Sequence, residues 1–183
     1  MIGTGVAIFL KSLWFLIPAG FANTIPPIAM RIFPKWDFPL DFNLSFRGKR
    51  VFGSHKTIRG IVFGCIGAVI MTYFMSYLFQ LEFYKYGVFD FSESPFLYGL
   101  MQGLGALGGD AIKSFFKRQM DIPSGKSWPF FDQADWILGV LIIFGLLKEI
   151  PFPFIIASLI TGVSLHLIFR FVGFILGIVK EII

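Results

Sequence analysis

Three aspartates carry most of the chemistry that this sequence offers. Asp110 ends an uncharged, glycine-rich stretch, and Asp132 and Asp135 follow in the run Pro129-Phe130-Phe131-Asp132-Gln133-Ala134-Asp135. A carboxylate at the edge of an apolar helix is costly unless it is paired or bound to a cation. If the chain after Asp110 is helical, Asp110, Ser114 and Lys117 or Arg118 share one face, and Lys113 borders the same stripe. Asp132 and Asp135 project from one side of a first helical turn, where on their own they would complement the positive end of a helix. With Asp110 at the same depth and Lys and Arg around all three, the set suits a hard divalent cation carrying phosphate oxygens. Mg²⁺ is the natural candidate. No His cluster or Cys pair offers a zinc site.

A second candidate region is the basic stretch Phe46-Arg47-Gly48-Lys49-Arg50-Val51-Phe52-Gly53-Ser54-His55-Lys56-Thr57-Ile58-Arg59-Gly60. Glycines allow tight turns, backbone amides can bind phosphate, and Lys and Arg neutralise it. The Gly-x4-Gly-Lys-Ser/Thr spacing of a nucleotide-binding P-loop is absent. A plainer reading is a topology determinant that also meets anionic headgroups, but glycines interleaved with Lys49, Arg50, Lys56 and Arg59 favour a shaped loop. His55 could touch phosphate, whereas His166, within an apolar helix, reads as a hydrogen-bonded core residue. Asn23, beside Pro18, Pro26 and Pro27, marks an irregular helix end, where it satisfies freed backbone groups or contacts a ligand.

These groups must be positioned by a membrane bundle. The 183 residues are 56% hydrophobic and 15% charged, with 25 Phe, more apolar surface than a soluble domain of this size can hide. The single cysteine, Cys65, cannot form an intrachain disulfide. The first apolar stretch is too long for the hydrophobic region of a cleavable signal peptide. Five spans are expected in an all-α bundle: Ser12–Met30 extended by Met1–Leu10, Gly60–Leu81, Ser94–Gly109, Trp136–Leu147 and Ile150–Phe169, the last running on towards Ile178. A bilayer core needs roughly 20 helical residues, so the fourth span must be short, tilted or extended through its flanks. In the third, the spacings Gly99–Gly103 and Gly105–Gly109 suit close helix packing. A second reading lets Gly108 and Gly109 admit a ligand beside Asp110.

Basic residues set the expected topology. Arg31, Lys35, Arg47, Lys49, Arg50, Lys56 and Arg59 lie between spans one and two, and Lys113, Lys117, Arg118 and Lys126 between spans three and four; Arg170 and Lys180 end the chain. The other side has Lys85, Lys148 and Lys11. The positive-inside rule then puts the N-terminus outside, loops at about 31–59 and 113–135 in the cytoplasm, and the C-terminus inside. One membrane-embedded domain spans residues 1–183.

Ser114-x-x-Lys117-Arg118, then Gly125, then Pro129-x-x-Asp132-x-x-Asp135, resembles the signature of the integral-membrane CTP-dependent phosphatidate cytidylyltransferases. Gly48–Arg50 and Lys56–Gly60 also look like that family's first cytoplasmic loop. The likeness is greatest to its compact archaeal branch, the CDP-archaeol synthases, and covers nearly the whole chain, including Ala22-Asn23 with Pro26 and Pro39-Leu40-Asp41. The bacterial and eukaryotic enzymes carry His-Gly-Gly before the paired aspartates; Phe130 and Phe131 stand there in this chain, which favours the archaeal lipid over phosphatidate.

The resemblance implies that CTP and 2,3-bis-O-(geranylgeranyl)-sn-glycerol 1-phosphate give CDP-archaeol and pyrophosphate. On this reading Asp110, Asp132 and Asp135 hold Mg²⁺. Lys117 serves the reaction with them, and Lys49, Arg50, Lys56, Thr57, Arg59, Arg118, Ser114 and Asn23 bind nucleotide and phosphate. The expected partners are CTP, a prenylated glycerol phosphate lipid and the membrane, with no nucleic acid. A small anion transporter is the non-enzyme alternative, a scaffold assembled through the glycine helix is another, and neither explains three acidic groups at one depth.

Overall fold

The computed structural model describes residues 4–80, 90–123 and 126–175. Five helices dominate: α1 (Thr4–Ile32), α2 (Ile58–Gln80), α3 (Pro95–Gln119), α4 (Phe131–Gly145) and α5 (Phe152–Ile175). A two-stranded hairpin, β1 (Ser45–Phe46) and β2 (Lys49–Arg50), lies between α1 and α2. The expected five-helix order is therefore present. Lys85, Gly125, Lys180 and the proposed extension to Ile178 lie outside the described residues.

Among the described residues two helices are long and apolar enough to cross a bilayer, over Gly5–Ile32 and Ile58–Leu78, with mean hydropathies of 1.7 and 1.9. Only 33% and 39% of these stretches is buried in the bundle, so most of their apolar surface faces outward, as lipid requires. On α2 the outward side carries Ile66, Ile70, Tyr73, Phe74 and Tyr77. At 1.5 Å per residue, the 15-residue α4 is about 22 Å long, short of a bilayer core of about 30 Å.

Two sequence expectations need correction. The helix end expected at Asn23 does not occur: α1 continues through Pro18, Pro26 and Pro27 to Ile32. Neighbouring helices bury its inner face at Ala19, Ala22 and Ala29, and such packing tolerates the hydrogen bonds that prolines remove. The second connection is also shorter than 113–135. Helix α3 carries Lys113, Ser114, Lys117 and Arg118 on to Gln119. Lys and Arg are good helix formers, and Lys117 and Arg118 in the last turn oppose the negative helix end.

Helix α3 is the hub, packing on α1, α2 and α4, while α5 covers α1 and α4. Glycine makes the closest of these approaches possible. A Cβ added at Gly103 would stand 2.8 Å from the Cα of Cys65 on α2, and one at Gly105 would stand 2.7 Å from the Cα of Val140 on α4. A Cβ on Gly109 would meet the backbone carbonyl of Asp135, and one on Gly139 that of Gly105. The glycine spacing thus serves helix packing, and among the glycines of α3 only Gly108 faces open space. Below this seam, Phe15 meets Phe144 and Phe154 edge-on at 4.9 and 5.3 Å, and the Gln102 side chain donates to the Phe15 carbonyl at 2.8 Å.

Candidate functional site

Backbone contact at Gly109 and Asp135 fixes what happens one turn further on. Asp110 and Lys113 on α3 are brought against Asp132 and Asp135 on the first turns of α4. The Lys113 ammonium lies 3.2 Å from Asp110 Oδ1, 2.9 Å from Asp132 Oδ1 and 2.7 Å from Asp135 Oδ2. Three carboxylates from two helices therefore close around one cationic centre. Lys56, from the first loop, adds a second ion pair to Asp110, and Lys117 reaches Asp132 at 3.3 Å.

The aspartates on α4 are also tied to backbone. Asp132 Oδ2 accepts from the Trp128 amide at 2.6 Å, and Asp135 Oδ1 accepts from the Trp136 amide at 2.7 Å. Phe130, with a φ of 67°, turns the chain into α4 just ahead of them. Its ring is 85% exposed, and the neighbouring Phe131 stacks on Trp128 at 4.2 Å.

The donor set is right in kind for Mg²⁺, which takes hard oxygen ligands. Its spacing, however, is that of carboxylates round an ammonium. Among the described residues no three acidic, His or Cys side chains stand close enough to share a metal ion as they are placed. The position a cation would take among Asp110, Asp132 and Asp135 is held by Lys113. Sequence reasoning set Lys113 at the margin, because its partners on α4 become neighbours only through helix packing.

A cleft of about 240 Å³ opens beside the cluster, lined by Phe52, His55, Lys56, Asp110, Lys113, Ser114, Lys117 and Arg118. Four cationic side chains against one carboxylate give its lining an excess of positive charge, a field that attracts anions. The Ser114 hydroxyl donates back to the Asp110 carbonyl at 2.8 Å, and the Lys117 ammonium donates to the Lys126 carbonyl. The Nε of Arg118 is buried and has no hydrogen-bond partner.

A larger cleft of about 480 Å³ lies against the first loop, lined among others by Asp37, Asn43, Arg50, Ser54, His55, Thr57 and Arg59. His55 faces both clefts and joins them. The loop has a defined structure. Arg47 and Gly48, with φ of 51° and 76°, form the two-residue turn of the β1–β2 hairpin. Leu40 donates to the Lys56 carbonyl at 2.7 Å and Ile58 to that of Phe38 at 3.0 Å, which closes the loop on itself.

Asp41 organises this loop, a role with no signal in the sequence beyond its place in Pro39-Leu40-Asp41. It is 3% exposed and accepts from the amides of Asn43, Phe52 and Gly53 at 3.1, 3.0 and 3.1 Å, as well as from the Arg50 guanidinium. Burial alone would raise its pKa. The Arg50 pair and the three amides outweigh that and hold the carboxyl below its ordinary range.

The structure thus gathers Asp110, Asp132, Asp135, Lys56, Ser114, Lys117 and Arg118 at one place. Other expected contacts fall elsewhere. Arg50 and Arg59 line the larger cleft, where Arg59 donates to the Phe33 carbonyl at 2.5 Å. Thr57 caps α2, its hydroxyl accepting from the Gly60 amide at 3.2 Å. Lys49 points away from both clefts, pairing with Asp121 at 2.6 Å and donating to the Gln119 carbonyl at 3.0 Å. Asn23, half-buried within α1, lines neither cleft.

Comparison with known proteins bears on this arrangement. The CarS-like family, described as CDP-archaeol synthase, matches residues 6–183. A CDP-archaeol synthase of Pyrobaculum aerophilum is 29% identical over 177 residues, covering 96% of this chain and 98% of that protein. One from Methanocaldococcus jannaschii is 30% identical over 171 residues, covering 91% and 93%. One from Thermofilum pendens is 31% identical over 172 residues, covering 92% and 78%. The fold is similar to that of a solved intramembrane enzyme for archaeal membrane lipids biosynthesis, with a TM-score of 0.73, 24% identity and coverage of 89% of this chain and 94% of that one. With the family matching almost from end to end, this chain belongs to the CDP-archaeol synthases.

Proposed function

We propose that the chain makes CDP-archaeol by transferring the cytidylyl group of CTP to a prenylated glycerol phosphate, 2,3-bis-O-(geranylgeranyl)-sn-glycerol 1-phosphate, at the Asp110–Asp132–Asp135 cluster with Mg²⁺ as cofactor. The observation that carries this reading is the closure of three carboxylates, within 3.2 Å, on the single cationic centre of Lys113. That centre opens onto a cleft lined by Lys56, Lys117 and Arg118. Asp110, Asp132 and Asp135 would hold Mg²⁺, which when bound neutralises charge on the triphosphate and on the departing pyrophosphate.

A lipid phosphate oxygen forms the new bond to the α-phosphorus of CTP as the bond to pyrophosphate breaks. No protein nucleophile is required, so positioning and electrostatics supply the rate. Lys56, Lys117 and Arg118 face the phosphates, and the Ser114 hydroxyl lies in the same cleft. The larger cleft, reached past His55, offers room for the rest of a substrate beside Arg50, Thr57 and Arg59. Lys49 and Asn23 take no direct part in this arrangement.

The five apolar stretches support five spans, and the distribution of Lys and Arg supports an outside N-terminus, an inside C-terminus and a cytoplasmic site. A cytoplasmic site lets soluble CTP meet a lipid whose prenyl chains stay between helices. The apolar exteriors of α1 and α2 support the membrane setting.

The test is pyrophosphate release from CTP by purified protein with Mg²⁺, given either the archaeal lipid phosphate or phosphatidate. Release with the archaeal acceptor and little with phosphatidate is the expected result. Equal release with both would assign the broader phosphatidate cytidylyltransferase activity. Anion flux through sealed vesicles without pyrophosphate would replace the enzyme by a transporter.

A further inference from the structure

Resting on the Mg²⁺ reading above, we propose that Lys113 is a built-in counter-cation: its ammonium holds the carboxylate triad together until a divalent ion arrives, then leaves the centre for the neighbouring phosphate cleft. Three carboxylates drawn together without a cation would repel one another across the α3–α4 seam. One ammonium within 3.2 Å of all three, helped by Lys56 on Asp110 and Lys117 on Asp132, offsets that repulsion. It cannot share the centre with Mg²⁺, whose oxygen ligands stand at about 2.1 Å.

Two observations make the exchange feasible. Asp132 and Asp135 are each held by a backbone amide, at 2.6 and 2.7 Å, and Asp110 by Lys56, so the carboxylates keep their places when Lys113 withdraws. Lys113 also already lines the 240 Å³ cleft, and a lysine has a flexible four-carbon stem with a compact charge at its tip. A short swing takes the ammonium from the carboxylates to the phosphates that arrive with the divalent ion. The site then never holds three carboxylates bare, nor a triphosphate without an added cation.

The exchange predicts competition between Lys113 and the metal. Mn²⁺ binding to the detergent-purified full chain, read by electron paramagnetic resonance without nucleotide, tests it. Removing the competing charge in Lys113→Met should tighten Mn²⁺ about tenfold or more, since apparent affinity scales with the fraction of protein whose site is free. Lys113→Arg, which keeps the charge, should stay near the parent. Mg²⁺ should also raise the thermal midpoint of Lys113→Met more than that of the parent. Lys113→Gln serves the same purpose if the Met variant does not fold.

Unchanged or weaker Mn²⁺ binding in the neutral variants, with Asp132→Asn losing it, would overturn the Lys113 role and leave the metal reading standing. Absence of Mn²⁺ binding in parent and variants alike would overturn both.

Discussion

Two groups of charges sit at opposite ends of α3, and they are built differently. Ahead of its N-terminus, Glu93 pairs with Lys148 at 2.9 Å and accepts from the Tyr98 hydroxyl at 2.6 Å, with the Lys148 ammonium 5.2 Å from the Tyr98 ring centre. The hydrogen bond from Tyr98 and the charge of Lys148 keep the Glu93 carboxyl below its ordinary pKa. The pair's side chains are 42% and 57% exposed, so water screens them, and they act as a staple between the chain before α3 and the chain after α4. Towards the C-terminal end of α3, three carboxylates share an ammonium whose side chain is only 13% exposed. Balanced charges in water make a fastener. In the partly dry seam three carboxylates meet Lys113, Lys56 and Lys117 beside a cationic cleft, where water screens the charges far less, and this is the setting of the cation and anion proposed above.

The sharpest way to break this contrast is to neutralise one member of the buried group. Asp132→Asn or Asp135→Asn should lower pyrophosphate release roughly a hundredfold or more, the scale of losing a preorganised electrostatic contact. The same loss is expected for Asp110→Asn, and near-parental turnover in all three variants would dissolve the site.

Next in size is the seam that brings the group together. A methyl on Gly139 runs into the Gly105 carbonyl, so Gly139→Ala should cost about 1–3 kcal/mol in thermal stability and reduce activity with it. Gly108→Ala, which faces open space, should be silent in both assays. If the two variants behave alike, the backbone approach is not what sets the cluster.

A smaller effect is expected from the first loop. The depressed pKa of Asp41 means that its contribution to loop order is present above about pH 4, the ordinary carboxylate range, and is lost as pH falls through the lower folded value. Protease resistance of residues 33–57 should therefore hold at pH 5 and fail in stronger acid, while Asp41→Asn should loosen the loop already at neutral pH. A loop that is as resistant in acid as at neutrality would contradict the role given to Asp41. Least of all should follow from Glu93→Gln at the exposed staple: turnover at the parental level and an unchanged response to Mg²⁺.

What the sequence made legible follows the same division between local and distant. Apolar stretches marked all five helices, because in lipid the backbone of a spanning segment must satisfy its own hydrogen bonds. Asp110, Ser114, Lys117 and Arg118 could be grouped because they lie on one turn-repeat of a single helix. The pairing of Asp132 with Asp135 was equally local. Lys113 was placed at the edge, since two of its three carboxylate partners belong to α4 and are reached only where Gly105, Gly109 and Gly139 let two backbones touch. Asp41 was hidden for a related reason: its partners Arg50, Phe52 and Gly53 approach it only after the hairpin folds back. Lys49 looked like a phosphate ligand on charge alone, yet the hairpin carries it to Asp121. The prolines of α1 suggested a break at Asn23 that packing against the bundle overrides.

The central claim is tested most directly by locating a divalent ion in the protein bound to CTP. Crystals grown with Mn²⁺ and CTP should give one anomalous manganese peak or more bounded by the carboxylates of Asp110, Asp132 and Asp135, with the phosphates against Lys56, Lys117 and Arg118. Manganese found only away from that triad, for example on Asp121, with the triphosphate elsewhere, would contradict the account.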